Sequence, residues 1–303
     1  SIQDSGRYGQ RHLGIAWAGA LDQRALQLLN LLLGNDQHAA GLEIFAGPFA
    51  LQFLTDSGFA LRCATGQATL ECGDGRTVSI VPGRSYCASA NDKLTLCAIP
   101  CAAPVTLAIA GGIASNMVLG SRATDSQCGI GSDGGRFIQG GCELSLGTEN
   151  SFTEGITVSL PNSDGVLRIL PCDEFLSLDH HSQTRLSTTR WRVGADSNRM
   201  GLRLESDCTL KLENTIDRRH SQAVFPGCIQ LPSSGKPLIL RADAQTTGGY
   251  PLIANVIAAD NWKLAQATVG SGLHLQCVDE SIAIAALRAY NGRLEQFRLM
   301  SHP

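Results

Sequence analysis

Short stretches of this chain place an apolar side chain at every second residue, as in Lys93-Leu94-Thr95-Leu96-Cys97, Val105-Thr106-Leu107-Ala108-Ile109 and Thr209-Leu210-Lys211-Leu212-Glu213. Successive side chains of a strand point to opposite faces, so this period predicts half-buried strands. The 33 glycines fall between such stretches and predict many tight turns. A helical period occurs in three places. Behind Asp22, a residue type that caps helix N-termini, Leu26, Leu29 and Leu33 share a face as far as Gly34-Asn35. A short helix is expected around residues 261–267. A third follows Asp279, with Ile282, Ala286 and Tyr290 on one face and a break at Asn291-Gly292.

A chain of 303 residues exceeds one ordinary hydrophobic core and predicts two domains. The polar stretch from Gly147 to Gly155, followed by Pro161-Asn162-Ser163-Asp164-Gly165, places the division near the middle, giving domains 1–150 and 151–303. Without regular alternation of strand and helix, both are expected to be β-rich, with closed or sandwich-like sheets and a few short helices. The fold class read from the pattern is therefore mostly β.

Composition narrows the function classes. With 43% hydrophobic and 17% charged residues the chain reads as globular, and no apolar run approaches the ~18 residues of a membrane-spanning helix. Residues 26–33 and 252–259 read as core elements. Neither a basic leader nor an apolar signal segment opens the sequence, so a cytoplasmic location is expected; whether a further segment precedes Ser1 is left open. A net charge of −3 and a pI near 6.1 provide no attraction for nucleic acid. The 11 cysteines are odd in number and contain no C-x-x-C pair, and no N-x-[ST] site occurs. They are expected to be reduced thiols serving as small apolar fillers rather than a zinc site or a nucleophile.

Several motifs fail on context. Gly129-Ile130-Gly131-Ser132-Asp133-Gly134 fits G-x-G-x-x-G, but Arg136-Phe137-Ile138-Gln139-Gly140-Gly141 behind it does not read as a helix, so a glycine turn is expected. No G-x-x-x-x-G-K-[ST], H-E-x-x-H or G-x-S-x-G is present. His180-His181 is expected in an extended, exposed loop, where adjacent imidazoles face apart and share no metal; no metal site is predicted.

Four glycine-backed polar loops stand out: Gln3-Asp4-Ser5-Gly6-Arg7, Gly120-Ser121-Arg122-Ala123-Thr124-Asp125, Asn198-Arg199-Met200-Gly201-Leu202-Arg203 and Asp243-Ala244-Gln245-Thr246-Thr247-Gly248-Gly249-Tyr250-Pro251. Glycine lets backbone approach a ligand, arginine offers a planar fork for carboxylate or phosphate, and Gln and Thr can read an amide. Taken singly, each is equally well a polar turn with its hydrogen bonds satisfied locally.

These loops carry a family resemblance. Asp4-Ser5-Gly6-Arg7, Gly19-Ala20-Leu21-Asp22, Gly34-Asn35, Leu42-Glu43-Ile44, Leu119 to Asp125, Asn198-Arg199-Met200-Gly201, Pro226-Gly227-Cys228-Ile229-Gln230-Leu231-Pro232 and Gln245 to Pro251 together resemble the family of the 5-oxoprolinase C subunit. That family is also called allophanate hydrolase subunit 2 and is related to the carboxyltransferase end of urea carboxylase. The resemblance runs from Ile2 to about Val278, with departures at Trp17-Ala18 and Ser126-Gln127-Cys128 that bear on substrate identity. It implies cyclophilin-like β-barrel domains and ATP-dependent opening of 5-oxo-L-proline to L-glutamate. Partners resembling the B and A subunits of 5-oxoprolinase are implied too, the former in some bacteria a sporulation-kinase inhibitor antagonised by the homologue of the present chain.

Two alternatives stay open: transfer of a carboxyl group from carboxybiotin to urea or a related amide, and non-catalytic binding of a kinase inhibitor. No biotin-attachment segment and no P-loop is visible, so ATP, or biotin under the second reading, is expected to involve another chain. Holding anionic groups and stabilising developing charge calls for cationic donors. Arg122 and Arg199 are the candidate catalytic arginines, with Asp125 and Asp243 as matching carboxylates for acid-base work or for orienting them. Arg7, Asn198, Arg203, Gln230, Gln245, Thr246, Thr247 and Tyr250 are the candidate substrate-binding residues. The loops of both halves are expected to converge on one pocket for a small carbonyl-nitrogen compound.

Overall fold

The computed structural model describes all residues except 46, 64–67, 98–102, 214–219 and 302–303. The chain divides into two compact units. The first comprises residues 1–8, 18–162 and 293–303, and the second residues 9–17 and 163–292, so the break near mid-chain falls within the Pro161 to Gly165 turn cluster.

Among the described residues the first unit holds nine strands in two antiparallel sheets. In chain order they are β1 (Ile2–Gln3), β2 (Gly41–Ile44), β3 (Phe49–Gln52), β4 (Ser57–Arg62), β5 (Ala68–Glu71), β6 (Thr77–Ser79), β7 (Tyr86–Ala88), β8 (Lys93–Leu96) and β9 (Val105–Ile109). One sheet runs β1-β2-β9-β4-β7 and the other β3-β8-β5-β6. Leu42, Ile44, Phe59, Leu61 and Leu107 from the first sheet share a core with Leu70, Leu94 and Leu96 from the second. The first sheet is buried on its other face as well. There Ala60, Ala108 and Ala110 alternate with the large inward residues, and helix α1 (Gln23–Leu32) lays Leu26, Leu29 and Leu32 against them. Small side chains on that face let the helix approach closely. The Asp22 carboxylate caps α1 by accepting the Ala25 N–H at 2.9 Å, as its position ahead of the leucines predicts.

The second unit is built on a closed barrel. Its elements are β10 (Val166–Pro171), α2 (His180–Thr188), β11 (Arg190–Val193), β12 (Gly201–Glu205), β13 (Gln222–Ala223), β14 (Cys228–Gln230), β15 (Leu238–Leu240), β16 (Thr247–Gly248), β17 (Leu252–Val256), α3 (Asn261–Ala265) and β18 (Gly272–Cys277). Seven strands close in the order β10-β17-β14-β15-β12-β11-β18. Every pairing in this ring is antiparallel except β10 with β18, whose register runs from Val166↔His274 to Ile169↔Cys277. Leu167, Ile169, Trp191, Val193, Leu202, Leu204, Ile229, Ile239, Leu273 and Leu275 fill the interior, and the Trp191 indole N–H donates to the Leu186 carbonyl. Strands β13 and β16 form a separate two-stranded ribbon. The fold is mostly β, as the alternation predicts.

Three local expectations are corrected. Residues 209–213 form no strand, and Leu212 makes only an isolated bridge to Leu178, because alternation alone supplies no neighbour with which to build a ladder. His180 and His181 open α2 rather than lying extended; the Asp179 carboxylate accepts the Ser182 N–H at 2.6 Å and starts the helix there. The last helix, α4 (Glu280–Ser301), runs through Asn291-Gly292 without a break. An interior glycine costs roughly 1 kcal/mol relative to alanine. Beyond it Leu294 and Phe297 pack against the α1 core, and Arg298 pairs with Glu295, which together outweigh that cost. The G-x-G-x-x-G segment does fold as a turn: Gly129, Gly131 and Gly134 all take positive φ, and Asp133 joins Gly134 in the left-handed region, so residues 132–135 form an irregular turn and not a helix start.

Candidate functional site

In the first unit one carboxylate ties two of the glycine-backed loops together. Asp4 Oδ1 accepts the Gly6 N–H at 2.8 Å and the Ser121 hydroxyl at 2.7 Å, and Oδ2 accepts the Arg122 N–H at 2.6 Å. An ionised acceptor makes such bonds short and strong, so D-S-G-R and G-S-R are halves of one local structure. Beside them opens a cavity of about 470 Å³, walled by Asp4, Ser5, Gly6, Tyr8, His38, Met117, Gly120 and Arg122 and floored by the Gly111-Gly112 turn. Arg122 is half-buried, and its Nε has no hydrogen-bond partner. Ser5 Oγ lies 2.7 Å from His38 Nδ1.

Two other residues singled out in these loops lie off the cavity wall. Arg7 is fully buried; its Nε donates to the Val118 carbonyl at 3.0 Å and one Nη to the Ala123 carbonyl at 2.9 Å. Burial pulls its pKa down, against the opposing pull of Asp125 and Asp4. Asp125 is equally buried, and its Oδ1 accepts the N–H groups of Gln127 and Cys128 at 3.0 and 3.1 Å, organising the turn that follows. Both stiffen the loop that presents Arg122.

In the second unit Arg199 and Asp243 form a two-pronged ion pair, with both N–H···O distances 2.8 Å and both side chains about nine-tenths buried. Backbone bonds from Arg241 N–H to the Met200 carbonyl and from Asp243 N–H to the Arg199 carbonyl fasten the same two segments. Asn198 accepts the Met200 N–H at 2.8 Å in a tight turn, and the fully buried Arg241 donates to the Asn198 carbonyl. Arg203 is exposed on β12, between the inward Leu202 and Leu204.

The Gln245 to Pro251 run forms one side of the ribbon. Thr247 pairs with Ala223, and the Thr246 carbonyl accepts the Val224 N–H; Gln245, Thr247 and Tyr250 are exposed, with Thr246 half-buried. Arg11 anchors the ribbon by donating to the carbonyls of Val224 and Gln245, while its guanidinium lies 5.4 Å from the Trp17 ring. Glu174 accepts the Gln222 side-chain amide at 3.0 Å and the Leu252 N–H. Beneath the ribbon sits Gln230, fully buried, with neither Oε1 nor Nε2 hydrogen-bonded. A Cβ at Gly248 would fall 2.4 Å from Gln230 Nε2, so glycine is what lets the ribbon lie this close.

The structure thus brings Arg122 to the first-unit cavity, Arg199 to Asp243, and Gln230 under the Gln245–Tyr250 ribbon. Sequence reasoning missed His38, Tyr8 and Met117 on the cavity and Arg11 and Glu174 at the ribbon. His38 carried a weak signal, because it follows α1 in the polar run Asn35-Asp36-Gln37-His38; Arg11 and Glu174 carried none. Among the described residues no group of three or more His, Cys, Asp or Glu is placed to hold a metal, and no helix is long and apolar enough to cross a membrane.

A family model described as carboxyltransferase domain, subdomain A and B, matches residues 13–277. The chain is 38% identical over 282 residues to the 5-oxoprolinase C subunit of Escherichia coli (strain K12), covering 91% of this chain and 88% of that protein. It is 35% identical over 299 residues to the 5-oxoprolinase C subunit of Haemophilus influenzae, covering 98% and 94%. The crystal structure of the K. lactis urea amidolyase superposes with a TM-score of 0.84 at 22% identity; it covers 98% of this chain, which spans only 19% of that one.

Proposed function

The chain belongs to the carboxyltransferase domain family, subdomains A and B, and from that premise we propose that it is the C subunit of an ATP-dependent 5-oxoprolinase that opens 5-oxo-L-proline to L-glutamate. The observation that carries this reading is the first-unit cavity, which is large enough for a small lactam and walled by both halves of the Asp4-linked motif. In this reading Arg122 holds the substrate carboxylate or the charge that develops on the opening ring, and Asp4 fixes the backbone from which it projects. The second unit carries an unpaired amide of its own, Gln230, whose two ends match the N–H and C=O edge of a lactam; because the ribbon covers it, such pairing would require the ribbon to move aside. Arg199 and Asp243, committed to one another, brace the loop that carries Asn198. The exposed Arg203, Gln245, Thr247 and Tyr250, with Thr246, supply further polar groups in that unit.

ATP does not fit the cavity. A triphosphate calls for several cations, and among the described residues Arg122 is the one guanidinium on this wall. ATP is therefore assigned to partners resembling the A and B subunits of 5-oxoprolinase. The names of the relatives, each a C subunit, support the existence of a larger assembly. The test is copurification with those partners and an ATP-dependent assay for glutamate. Arg122→Ala is expected to lower kcat/KM by about 100-fold or more, an effect of the size seen when one charge-stabilising donor is lost. Unchanged turnover in that variant would reject the cavity as the site.

The family's description favours a second reading, carboxyl transfer from carboxybiotin to urea or a related amide. Biotin's ureido ring offers the same N–H and C=O edge that Gln230 could pair, and when bound it would supply the carboxyl group. The carrier would arrive on another chain. Urea-dependent loss of carboxyl from free carboxybiotin, without ATP-dependent glutamate release, would select this reading; binding of a kinase inhibitor with neither activity would select a non-catalytic role.

A further inference from the structure

The second unit buries an amide that its own residues leave unsatisfied. Gln230 is fully enclosed on β14 beneath the ribbon, and among the described residues neither Oε1 nor Nε2 has a hydrogen-bond partner. Two residues back along β14, Cys228 stands opposite Asn255 of β17, whose buried Oδ1 is likewise unpaired. Buried polar groups nearly always find a partner, because a dry, unpaired end forfeits its bonds to water. The ribbon seated over Gln230 therefore carries a standing penalty at both ends of the amide.

That ribbon is lightly fastened. Its strands are two residues each, joined through Gln222↔Gly248 and Ala223↔Thr247 and by the Val224 N–H on the Thr246 carbonyl at 3.1 Å. A two-stranded pair of this length is marginal in water, so the contacts beneath it decide where it lies. The apolar contacts are few: Val224 and Ala244 pack on Cys228 and Leu240. Two side chains supply the polar ones. Arg11 donates through one Nη to the carbonyls of Val224 and Gln245, one on each arm of the ribbon. The Glu174 carboxylate accepts the Gln222 side-chain amide at 3.0 Å together with the Leu252 N–H, which ties the ribbon to the start of β17.

We propose that the β13–β16 ribbon is a flap, latched by Arg11 and Glu174, that opens to uncover the Gln230 amide. Opening breaks the two latches and exposes the patch under Val224. It also returns both ends of Gln230 to partners, either water or the N–H and C=O edge of an amide ligand. The gain at Gln230 opposes the loss at the latches, the balance that a movable element requires. Glycine at 248 lets the flap seat fully, since a side chain there would strike the Gln230 amide. The use of this motion in the reaction rests on the amide-pairing role given to Gln230 above; the motion itself does not.

Cys228 reports the opening, because it is fully buried under Val224 and Ala244. The full-length chain is treated with a methanethiosulfonate, and labelling of Cys228 is followed by peptide mass spectrometry with the exposed Cys142 as reference. Arg11→Ala should speed Cys228 labelling by about 10- to 100-fold, the range for losing hydrogen bonds from a charged donor. Burial holds the Cys228 thiol above its ordinary pKa and Arg11 opposes that shift, so losing Arg11 would by itself slow the thiol; acceleration therefore measures opening. Glu174→Ala should act in the same direction, and Glu174→Gln, which keeps an acceptor, less. Gln230→Met removes the unpaired amide at similar volume and should slow labelling by about 10-fold, because the closed form no longer holds a dry polar group. Hydrogen exchange separates a flap from a weakened fold: in Arg11→Ala, faster exchange should be confined to residues 222–225 and 245–249. Exchange rising equally through β14 and β17, or Cys228 labelling that none of these substitutions changes, would overturn the proposal. Glutamate release from 5-oxoproline by the assembled complex with ATP is scored separately. If the flap responds as expected but no glutamate appears, the flap stands and the lactam reading fails. If glutamate appears and the flap does not respond, the flap fails and the lactam reading stands on Arg122 and the first-unit cavity.

Discussion

Replacing Arg199 by alanine tests whether the Arg199–Asp243 pair is structural. The two side chains meet through two 2.8 Å bonds and are about nine-tenths buried. Removing the guanidinium leaves the Asp243 carboxylate largely shielded from water and without its two-pronged partner. Breaking one half of a buried pair costs about 3–5 kcal/mol. Because the neighbouring backbone bonds to Arg199 and Met200 survive the change, the lower end is expected, about 3 kcal/mol. For a unit of this size each kcal/mol moves the midpoint by roughly 2–4 °C, so the melting transition of the second unit should fall by roughly 6–12 °C. Asp243→Ala alone should destabilise similarly, and the double variant by much less than the sum, giving a coupling energy of about 2 kcal/mol or more. Calorimetry of the four proteins supplies all the terms. Strict additivity, or a shift of under about 1 kcal/mol, would show that the pair does not brace this loop.

Other outcomes follow from single positions. Gly111 has φ near 83°, and a Cβ there would stand 2.4 Å from the Gly147 carbonyl oxygen; Gly111→Ala should cost about 2–4 kcal/mol through left-handed strain and overpacking, measured by urea denaturation. Asp22→Ala removes the α1 cap and should cost about 1 kcal/mol by the same measurement, whereas Asp22→Asn should retain most of it. Burial pushes the Cys172 thiol up to about 11, while hydrogen bonds from Ser206 and Thr189 pull that of Cys208 down. The thiolate is the reactive form, so at pH 8 only about one Cys172 in a thousand is ionised, and iodoacetamide should label Cys208 well before it. Mass spectrometry showing equal labelling rates would contradict both directions.

Much of this architecture could be read from the residues. Helix α1 was legible because a capping carboxylate, a leucine face and a terminal Gly-Asn all agree, and β8 because its alternation matches a buried and a more exposed face; β9 is a strand as expected but is buried on both faces rather than half-buried, since α1 covers the face that carries Ala108. Residues 209–213 alternate just as well yet form no ladder, since pairing depends on a neighbour that local pattern does not specify. The continuation of α4 past Gly292 depends on Leu294 and Phe297 finding a distant core, which no window around the glycine reveals. At the candidate site, Asp4 and Arg122 were visible inside their motifs. The Ser5–His38 pairing was not, because it joins positions on opposite sides of α1. Arg199 looked like a ligand-binding cation for a related reason: nothing local announces that Asp243 already occupies its fork.

The parallel seam between β10 and β18 makes the barrel sensitive to where synthesis or cutting stops. All other neighbours in it are zipped antiparallel, but closure waits on residues 272–277, the last strand to emerge. A product truncated ahead of Gly272 would leave β10 and β11 each with a bare hydrogen-bonding edge, an invitation to pair with another copy. Such a fragment should precipitate or form oligomers, whereas shortening only the tip of α4 leaves the ring of strands shut.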